Sequence, residues 1–354
     1  MRHLFRFRCA LSSRRWIQLI FEDPKSSRCP EAHLYSTVTW YHSYLQKASP
    51  KYRQEKKIQR VNILQDPGIP IVDRLSRNEL IELLKNSIVY REGALLALSK
   101  PCGLSITGQE PSLNTLLPDL RKALCLSETP HIVTAAQRDL SGLVLLSNCH
   151  QTTRIIEAAI LQARKAQIPV ATYWAVTVGT LHPSEGEIKM PLKISRIHER
   201  QLVIPAPDPA PGNLQRKEVK KAVTRYRVLD SAEGCSLVQL QPLSTFQDQL
   251  RVHLSVKLSP ALGDHVYSSR VGCILGVPIS LPVDSVEPHP QVLQEKLLRK
   301  MHLTQQQMHQ VPLHLHLQSL QIPGKNKELS PITVTANPPQ YFVKTLRLLG
   351  LTSS

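Results

Sequence analysis

The sequence predicts an α+β fold built on a mixed, mostly antiparallel β-sheet with flanking helices. Short apolar runs alternate with amphipathic segments, and turn residues separate them. The strands and helices do not follow a regular β–α–β order, which argues against a doubly wound parallel sheet. The 354 residues are enough for one large domain or two ordinary ones.

The first predicted element is a helix over 77–86. Ser76 stands three residues before Glu79, which is the spacing of a capping box, and apolar residues follow at helical spacing. Further helices are predicted over 151–165, 247–257, 291–301 and 340–349. Strands are predicted over 88–90, 94–99, 142–147, 172–178, 223–229, 236–242 and 313–322, with a hairpin over 324–327.

Two predicted surface loops interrupt this pattern. Four prolines within 205–212 cannot continue a helix or a central strand, and a second loop covers 281–290. We therefore predict one domain over 75–350 with insertions at 206–220 and 281–310.

Composition excludes several classes of protein. No stretch approaches the ~20 apolar residues of a membrane span, so an integral membrane protein is excluded. The seven cysteines are scattered without a CxxC pair, which fits neither a disulfide scaffold nor a cysteine zinc site. A net charge of +17 on a chain with 42% hydrophobic residues instead indicates an anionic partner, with nucleic acid as the first candidate.

More than half of this charge lies near the N-terminus. Residues 1–60 carry 13 Lys and Arg but only 4 Asp and Glu, a net +9. Residues 1–21 contain five arginines, several apolar residues and no acid, which is the composition of a mitochondrial transit peptide and predicts import into the matrix. Residues 22–74 show no sustained periodicity and are interpreted as a basic, flexible linker.

Six segments, in order, resemble the RluA branch of the RNA pseudouridine synthases. Each is weak alone, but their order and spacing across roughly 90–350 make the resemblance strong. The segments are K-P-C-G-L at 100–104, S-G-L-V-L-L at 141–146, Y-W-A-V-T-V-G at 173–179, Q-L-R-V-H at 249–253, G-D-H-V-Y at 263–267, and L-H at 315–316 followed by a closing helix.

The resemblance implies a pseudouridine synthase fold with a central RNA-binding cleft. A uridine is flipped out of its stack, its glycosidic bond is broken, and the uracil is turned and rejoined through C5. No cofactor or metal is implied. Carried over from the family, Tyr173 stacks on the base, Leu250 lines the uracil pocket, and Arg251 pairs with the catalytic aspartate.

The aspartate itself is missing from the matching position. The family pattern H-R-L-D-x-x-T-S-G puts it four residues before Ser141, where this chain has Gln137, and a carboxamide does not ionise near neutral pH. The family pattern T-G-R-x-H-Q likewise aligns its arginine with Phe246 and its histidine with Asp248. A lysine that often precedes the tyrosine by two is replaced by Ala171. The mitochondrial mRNA branch of the family looks closest, since its members also have a degenerate aspartate motif.

Two interpretations follow. In the first, the protein is an isomerase in which the loop shifts by two residues, so that Asp139 supplies the carboxylate and pairs with Arg251. In the second, Asp139 fills a variable position, and the protein is a catalytically impaired RNA-binding or ribosome assembly factor. Mitochondrial mRNA is the first predicted RNA, with rRNA next.

Basic residues and histidines complete the candidates. The cluster Arg216, Lys217, Lys220, Lys221 and Arg225 is the first choice for RNA phosphate contacts, and other basic residues, Lys100 among them, are further candidates. His314 and His316 would point to one face of a strand, but no nearby cysteine or acidic pair completes a metal site, so none is predicted.

Overall fold

The computed structural model describes residues 61–108, 110–197, 199–285, 287–324 and 330–352. The transit peptide predicted over 1–21 and the first part of the predicted linker lie outside these ranges, as does most of the predicted hairpin at 324–327. Among the described residues, no helix is long and apolar enough to cross a membrane.

The described helices and strands alternate irregularly along the chain, as predicted. The helices are α1 (Arg77–Asn86), α2 (Leu113–Ala123), α3 (His150–Lys165), α4 (Pro211–Gln215), α5 (Gln249–Val256), α6 (Glu295–Met301) and α7 (Gln340–Leu349). The strands are β1 (Ile88–Glu92), β2 (Leu95–Lys100), β3 (His131–Ala135), β4 (Ser141–Ser147), β5 (Ala171–Val178), β6 (Glu185–Lys189), β7 (Leu192–Ile197), β8 (Arg200–Pro205), β9 (Val219–Lys220), β10 (Val223–Ala232), β11 (Cys235–Pro242), β12 (Val271–Ile274), β13 (Val277–Ser280), β14 (Leu315–Ile322) and β15 (Ile332–Thr335).

A ten-stranded sheet forms the centre of the domain. Its main order is β1-β2-β4-β14-β5-β11-β10-β6, with β3 beside β4 and β15 beside β14. The pairing of β4 with β14 is parallel, and the other pairings in this sheet are antiparallel. The predicted α+β fold with a mixed, mostly antiparallel sheet is therefore confirmed.

A glycine permits the parallel junction of β4 and β14. Gly142 has a φ of +119°, and a Cβ there would lie 2.4 Å from the carbonyl oxygen of Leu317. Only glycine allows the two backbones to approach this closely. Beside it, the Ser141 hydroxyl hydrogen-bonds Nδ1 of His316 at 2.9 Å. The two strands are thereby held together where the chain leaves the 137–140 turn.

Apolar residues bury both faces of the sheet. One cluster joins α3, through Ile156 and Ile160, to Leu143 and Leu145 of β4. A second packs α6 and α7 against the other side of the sheet, and a third packs α1 and α2 against β1, β2 and β4. The cores thus fix the strands whose ends carry the candidate site residues.

The structure has eight strands in its described ranges that the sequence did not predict, and other elements differ as well. These strands are β3, β6, β7, β8, β9, β12, β13 and β15. Residues 61–74, assigned to the flexible linker, include the buried Ile63 and Val72, so this part of the chain is packed. The helix predicted over 291–301 begins at Glu295, and α2 was not predicted. A small sheet of β8, β7 and β9 follows β6, and it lies partly within the segment interpreted as a proline-rich loop and insertion.

Candidate active-site cleft

A cleft of about 210 Å³ brings together four of the five residues that the sequence predicted for catalysis and base binding. Gln137, Tyr173, Leu250 and Arg251 all line it. The walls come from the turn after β3, from α3, from the face of β5 and β14, and from the segment that leads into α5. Residues more than 100 positions apart in the chain therefore form one pocket, as the family resemblance implied.

Arg251 is the most heavily engaged of these residues. Its Nη2 and Nε donate to the two carboxylate oxygens of Asp264 at 2.7 and 3.2 Å. Its Nη1 donates to both Asp139 and Asp248, each at 3.2 Å. Burial acts to lower the pKa of Arg251, but the three carboxylates outweigh it and raise the pKa, so the guanidinium stays charged.

The carboxylate of Asp264 holds the Arg251 guanidinium in one orientation. Its side chain is fully buried, and Oδ1 also accepts the backbone N–H groups of Val266 and Tyr267, each at 3.0 Å. The Tyr267 ring lies 4.9 Å from the guanidinium carbon. A bidentate pair with a carboxylate that is itself held by backbone donors is a strong and directional contact. The G-D-x-x-Y segment therefore holds Arg251 in place.

Lys100 holds the turn that carries Gln137 and Asp139 through hydrogen bonds to its backbone. The ammonium is buried and donates to the carbonyls of Pro101, Arg138 and Leu140 at 3.0, 3.1 and 2.7 Å. Burial lowers the pKa of Lys100 to about 8. Lys100 is therefore not on the surface, and its inclusion among the candidate phosphate contacts is wrong.

Gln137 and Asp139 occupy different environments on this turn. Gln137 lines the cleft. Asp139 reaches Arg251, as the loop-shift interpretation required, but its side chain is 53% exposed and does not belong to the cleft lining. Asp139 thus reaches the guanidinium without lining the pocket.

Tyr173 and Leu250 form apolar parts of the cleft wall. Tyr173 lies on β5, opposite Leu317 of β14 and Leu240 of β11. Burial raises the pKa of Tyr173 to about 12, so its phenol is neutral at physiological pH. Leu250 is 7% exposed in the first turn of α5. A half-buried ring beside an aliphatic wall suits the flat faces of a nucleobase.

Comparison with known proteins identifies the family. The sequence profile of the RNA pseudouridylate synthases matches residues 94–256. The human protein "Mitochondrial mRNA pseudouridine synthase RPUSD3" is 45% identical over 280 residues, covering 78% of this chain and 80% of its own. Its mouse counterpart is 40% identical over 308 residues, covering 86% and 89%.

A comparison with solved structures indicates the same family. The human "RNA Pseudouridylate Synthase Domain Containing 4" superposes with a TM-score of 0.62 at 26% identity, covering 78% of this chain and 98% of that one. This chain belongs to the RNA pseudouridylate synthase family. The resemblance seen in the sequence is confirmed, and with it the pseudouridine synthase fold and the assignment to a family of isomerases.

The predicted RNA-contacting cluster of this synthase is divided between paired and exposed residues. Arg216 pairs with Glu218 at 2.8 Å, and Arg225 pairs with Glu187 at 2.9 Å. The remaining members are exposed lysines near β9, namely Lys217, Lys220 and Lys221. These lysines remain candidates for phosphate contacts, whereas the two arginines already have carboxylate partners on the protein.

His314 and His316, just before and within β14, both hydrogen-bond to other groups of the protein. His316 bonds Ser141 through Nδ1 and the carbonyl of Ala336 through Nε2, while His314 bonds Pro312 and Thr345. Burial lowers the pKa of each histidine to about 4. Both ring nitrogens of each are thus engaged by protein groups, and no cluster of three metal-ligating side chains occurs within the described ranges.

Sequence reasoning missed two residues that build the site. The first is Asp264, which lay within a quoted motif but received no role. The second is Asp248, recorded only as a departure from the pattern, which lines the cleft and bonds Arg251. The sequence did contain a signal for this contact. Asp248 stands three residues before Arg251 at the start of a predicted helix, and side chains at that spacing lie close enough to pair.

Proposed function

We propose that this protein isomerises uridine to pseudouridine in mitochondrial mRNA, within the matrix, with rRNA as the second candidate substrate. The observation that carries the proposal is the cleft of a pseudouridylate synthase that combines Tyr173, Leu250 and a charged Arg251 held among carboxylates. The name of the human relative supports mRNA as substrate, and the arginine-rich residues 1–21 support import.

The cleft suits a flipped uridine. A base must leave its stack before its glycosidic bond can be reached, at a cost of a few kcal/mol, about the scale that new stacking and burial can offset. The Tyr173 ring supplies a stacking surface, and Leu250 supplies an apolar wall. Because Tyr173 stays neutral, its ring can contact the base without a competing charge.

Arg251 organises the acidic side of the pocket. Its guanidinium is fixed by the buried Asp264, and Nη1 is left to contact carboxylates at the cleft. A preorganised cation holds neighbouring carboxylates in one orientation, which a carboxylate needs in order to act as a base or nucleophile. In this proposal Asp139 is a partner of Arg251 at the edge of the cleft.

The exposed lysines near β9 support a path for the RNA backbone. Lys220 and Lys221 directly precede β10, whose residue Val223 donates its backbone N–H to the cleft residue Ser244 at 2.9 Å. Phosphates bound along these lysines would therefore approach the pocket. Replacing Lys217, Lys220 and Lys221 by glutamate should weaken RNA binding and flatten its dependence on salt concentration.

A matched control for this change is Lys85→Glu with Lys122→Glu. These lysines lie on α1 and α2, outside the cleft lining. Binding titrations at several salt concentrations compare the two sets. Equal loss of affinity in both sets, or no change in either, would exclude the proposed path.

The function itself is tested by mapping pseudouridines in mitochondrial mRNA and rRNA transcripts after incubation with the purified protein. New pseudouridines at defined positions are expected with the wild-type protein, and fewer with Asp139→Ala or Gln137→Ala. The alternative, an RNA-binding assembly factor without catalysis, is favoured by the uncharged Gln137 in the cleft. Bound RNA without modification by the wild type or either variant would establish that alternative.

A further inference from the structure

The cleft contains an acid even though position 137 does not. Among the described residues that line it, Asp248 is the acidic one, and it shares the lining with Gln137, Tyr173 and Leu250. The family pattern aligns a histidine with this position. The cleft therefore has its negative charge at the start of α5 rather than at position 137.

The carboxylate of Asp248 does not cap the backbone of its own helix. An aspartate at an N-cap ordinarily accepts a backbone N–H from the second or third helical residue. Asp248 occupies the N-cap of α5 without such a bond. Its Oδ1 instead accepts from Nη1 of Arg251 at 3.2 Å, and its Oδ2 accepts from the Tyr267 hydroxyl at 3.1 Å. Oδ2 also accepts from Nε2 of Gln247 at 3.4 Å. These contacts fix the orientation of the side chain, and Asp248 lines the cleft.

The backbone conformation of Asp248 is also unusual. Its φ of +48° and ψ of +16° lie in the left-handed region, which residues other than glycine adopt uncommonly and aspartate more readily than most. Such conformations persist where the surrounding structure enforces them, and they cluster at functional sites. Here Gln249, the next residue, anchors the start of α5 through hydrogen bonds to Val223 and Thr224, each at 3.0 Å.

The other two carboxylates on Arg251 are less suited to meet a substrate. Asp264 is fully buried and saturated by Arg251 and by two backbone N–H groups. Asp139 is 53% exposed and lies outside the cleft lining. Asp248, at 16% exposure, is sheltered from water but still faces the pocket. It alone of the three combines a fixed orientation with access to the cleft.

We propose that Asp248 is the catalytic carboxylate of this synthase, in place of the aspartate that Gln137 replaces. The assignment rests on the proposed function. The reaction breaks the N1–C1′ bond and forms a C5–C1′ bond. One proton leaves C5 and one is gained at N1, so the product is an isomer and no co-reactant is consumed. The Asp248 carboxylate stabilises the positive charge left at C1′ when the first bond breaks, and it accepts the C5 proton after the second forms.

The test compares Asp248→Asn with Asp139→Asn in the transcript assay. Asparagine keeps the shape and the acceptor for Arg251 but cannot accept a proton from carbon. We expect Asp248→Asn to lower the rate of pseudouridine formation about 100-fold or more, the ordinary effect of removing an acid–base group. We expect Asp139→Asn to lower it by less than about tenfold, since it loosens Arg251 without removing the reacting group. RNA affinity and urea unfolding of each variant serve as controls for binding and folding.

A second arm of the test returns the acid to position 137. In the double variant Gln137→Asp with Asp248→Asn, the carboxylate returns to the wall where the family pattern has it, and we expect part of the lost rate to return. An Asp248→Asn rate within about threefold of wild type would overturn the assignment, as would a larger loss in Asp139→Asn. A double variant as inactive as Asp248→Asn would also overturn it. A wild-type protein that binds RNA and modifies nothing would instead remove the proposed function itself.

Discussion

Replacing Arg251 with methionine should destabilise the fold as well as the site. Asp264 would keep its two backbone donors, at 3.0 Å each, but it would lose both contacts to the guanidinium while remaining fully buried. Breaking a buried ion pair by removing one partner costs about 3–5 kcal/mol, because the remaining charge has no counterion. We expect a loss of that size in the free energy of unfolding.

Urea unfolding followed by circular dichroism measures this loss. Arg225→Met is the matched control, since Arg225 pairs with Glu187 at 2.9 Å but both side chains are well exposed, at 44% and 32%. Exposed ion pairs contribute about 0–1 kcal/mol, so the control should scarcely move the unfolding midpoint. The contrast between the two variants separates burial of the charge from loss of an arginine as such.

The double variant Arg251→Met with Asp264→Asn tests whether the unpaired carboxylate of Asp264 causes the loss of stability. Asparagine removes the unpaired charge while its carbonyl oxygen can still accept the backbone N–H groups of Val266 and Tyr267. We expect it to recover at least about 2 kcal/mol relative to Arg251→Met, since much of the loss is the buried charge. A double variant no more stable than the single one, or an Arg251→Met loss below about 1 kcal/mol, would refute the reasoning.

Two further predictions concern the strands behind the cleft. Gly142→Ala should cost about 3 kcal/mol or more and reduce pseudouridine formation, because its Cβ would lie 2.4 Å from the Leu317 oxygen. Gly234→Ala, with nothing within 4 Å, should cost only about 1–2 kcal/mol in urea unfolding, and equal losses would contradict the steric argument. Burial holds the pKa of His316 at about 4 from its ordinary 6.5, so the unfolded chain binds more protons between these pH values, and stability falls as pH falls through that window. His316→Gln should make the decline shallower by about 1.4 kcal/mol per pH unit, and unchanged slopes in urea titrations at pH 4 to 6.5 would exclude this role.

Local sequence signals predicted most of the elements that carry the site. The helices predicted over 151–165 and 247–257 and the strands predicted over 172–178 and 313–322 correspond to α3, α5, β5 and β14, which all line the cleft. By contrast, α2 was missed because Pro118 lies inside it. Proline removes a backbone donor and normally ends a helix, so local rules argue against a helix that burial of its leucines nonetheless stabilises.

The site was predictable to the extent that its residues lie in recognisable segments. Tyr173, Leu250 and Arg251 were expected together, and they line one cleft. The buried roles of Lys100 and Asp264 depend on which backbone groups the fold brings around them. No local pattern encodes those neighbours, and a lysine in a sequence is ordinarily exposed. The sequence therefore shows which residues are charged, but the tertiary fold determines which groups each of them pairs with.

The departures from the family pattern change the charges of the cleft but keep its apolar walls. Leu250 and Leu317 keep the apolar walls of the cleft, while the changed positions redistribute charge: Gln137 removes an acid, Phe246 removes a cation and Asp248 adds an acid. Phe246 packs with an apolar cluster, so no arginine at that position neutralises the new carboxylate. The orientation of Arg251 does not depend on any of these changes, because the buried Asp264 holds it from the other side. Asp139 and Asp248 both reach Nη1 of this fixed guanidinium, so the arginine contact that the proposed assignment requires does not depend on an acid at position 137.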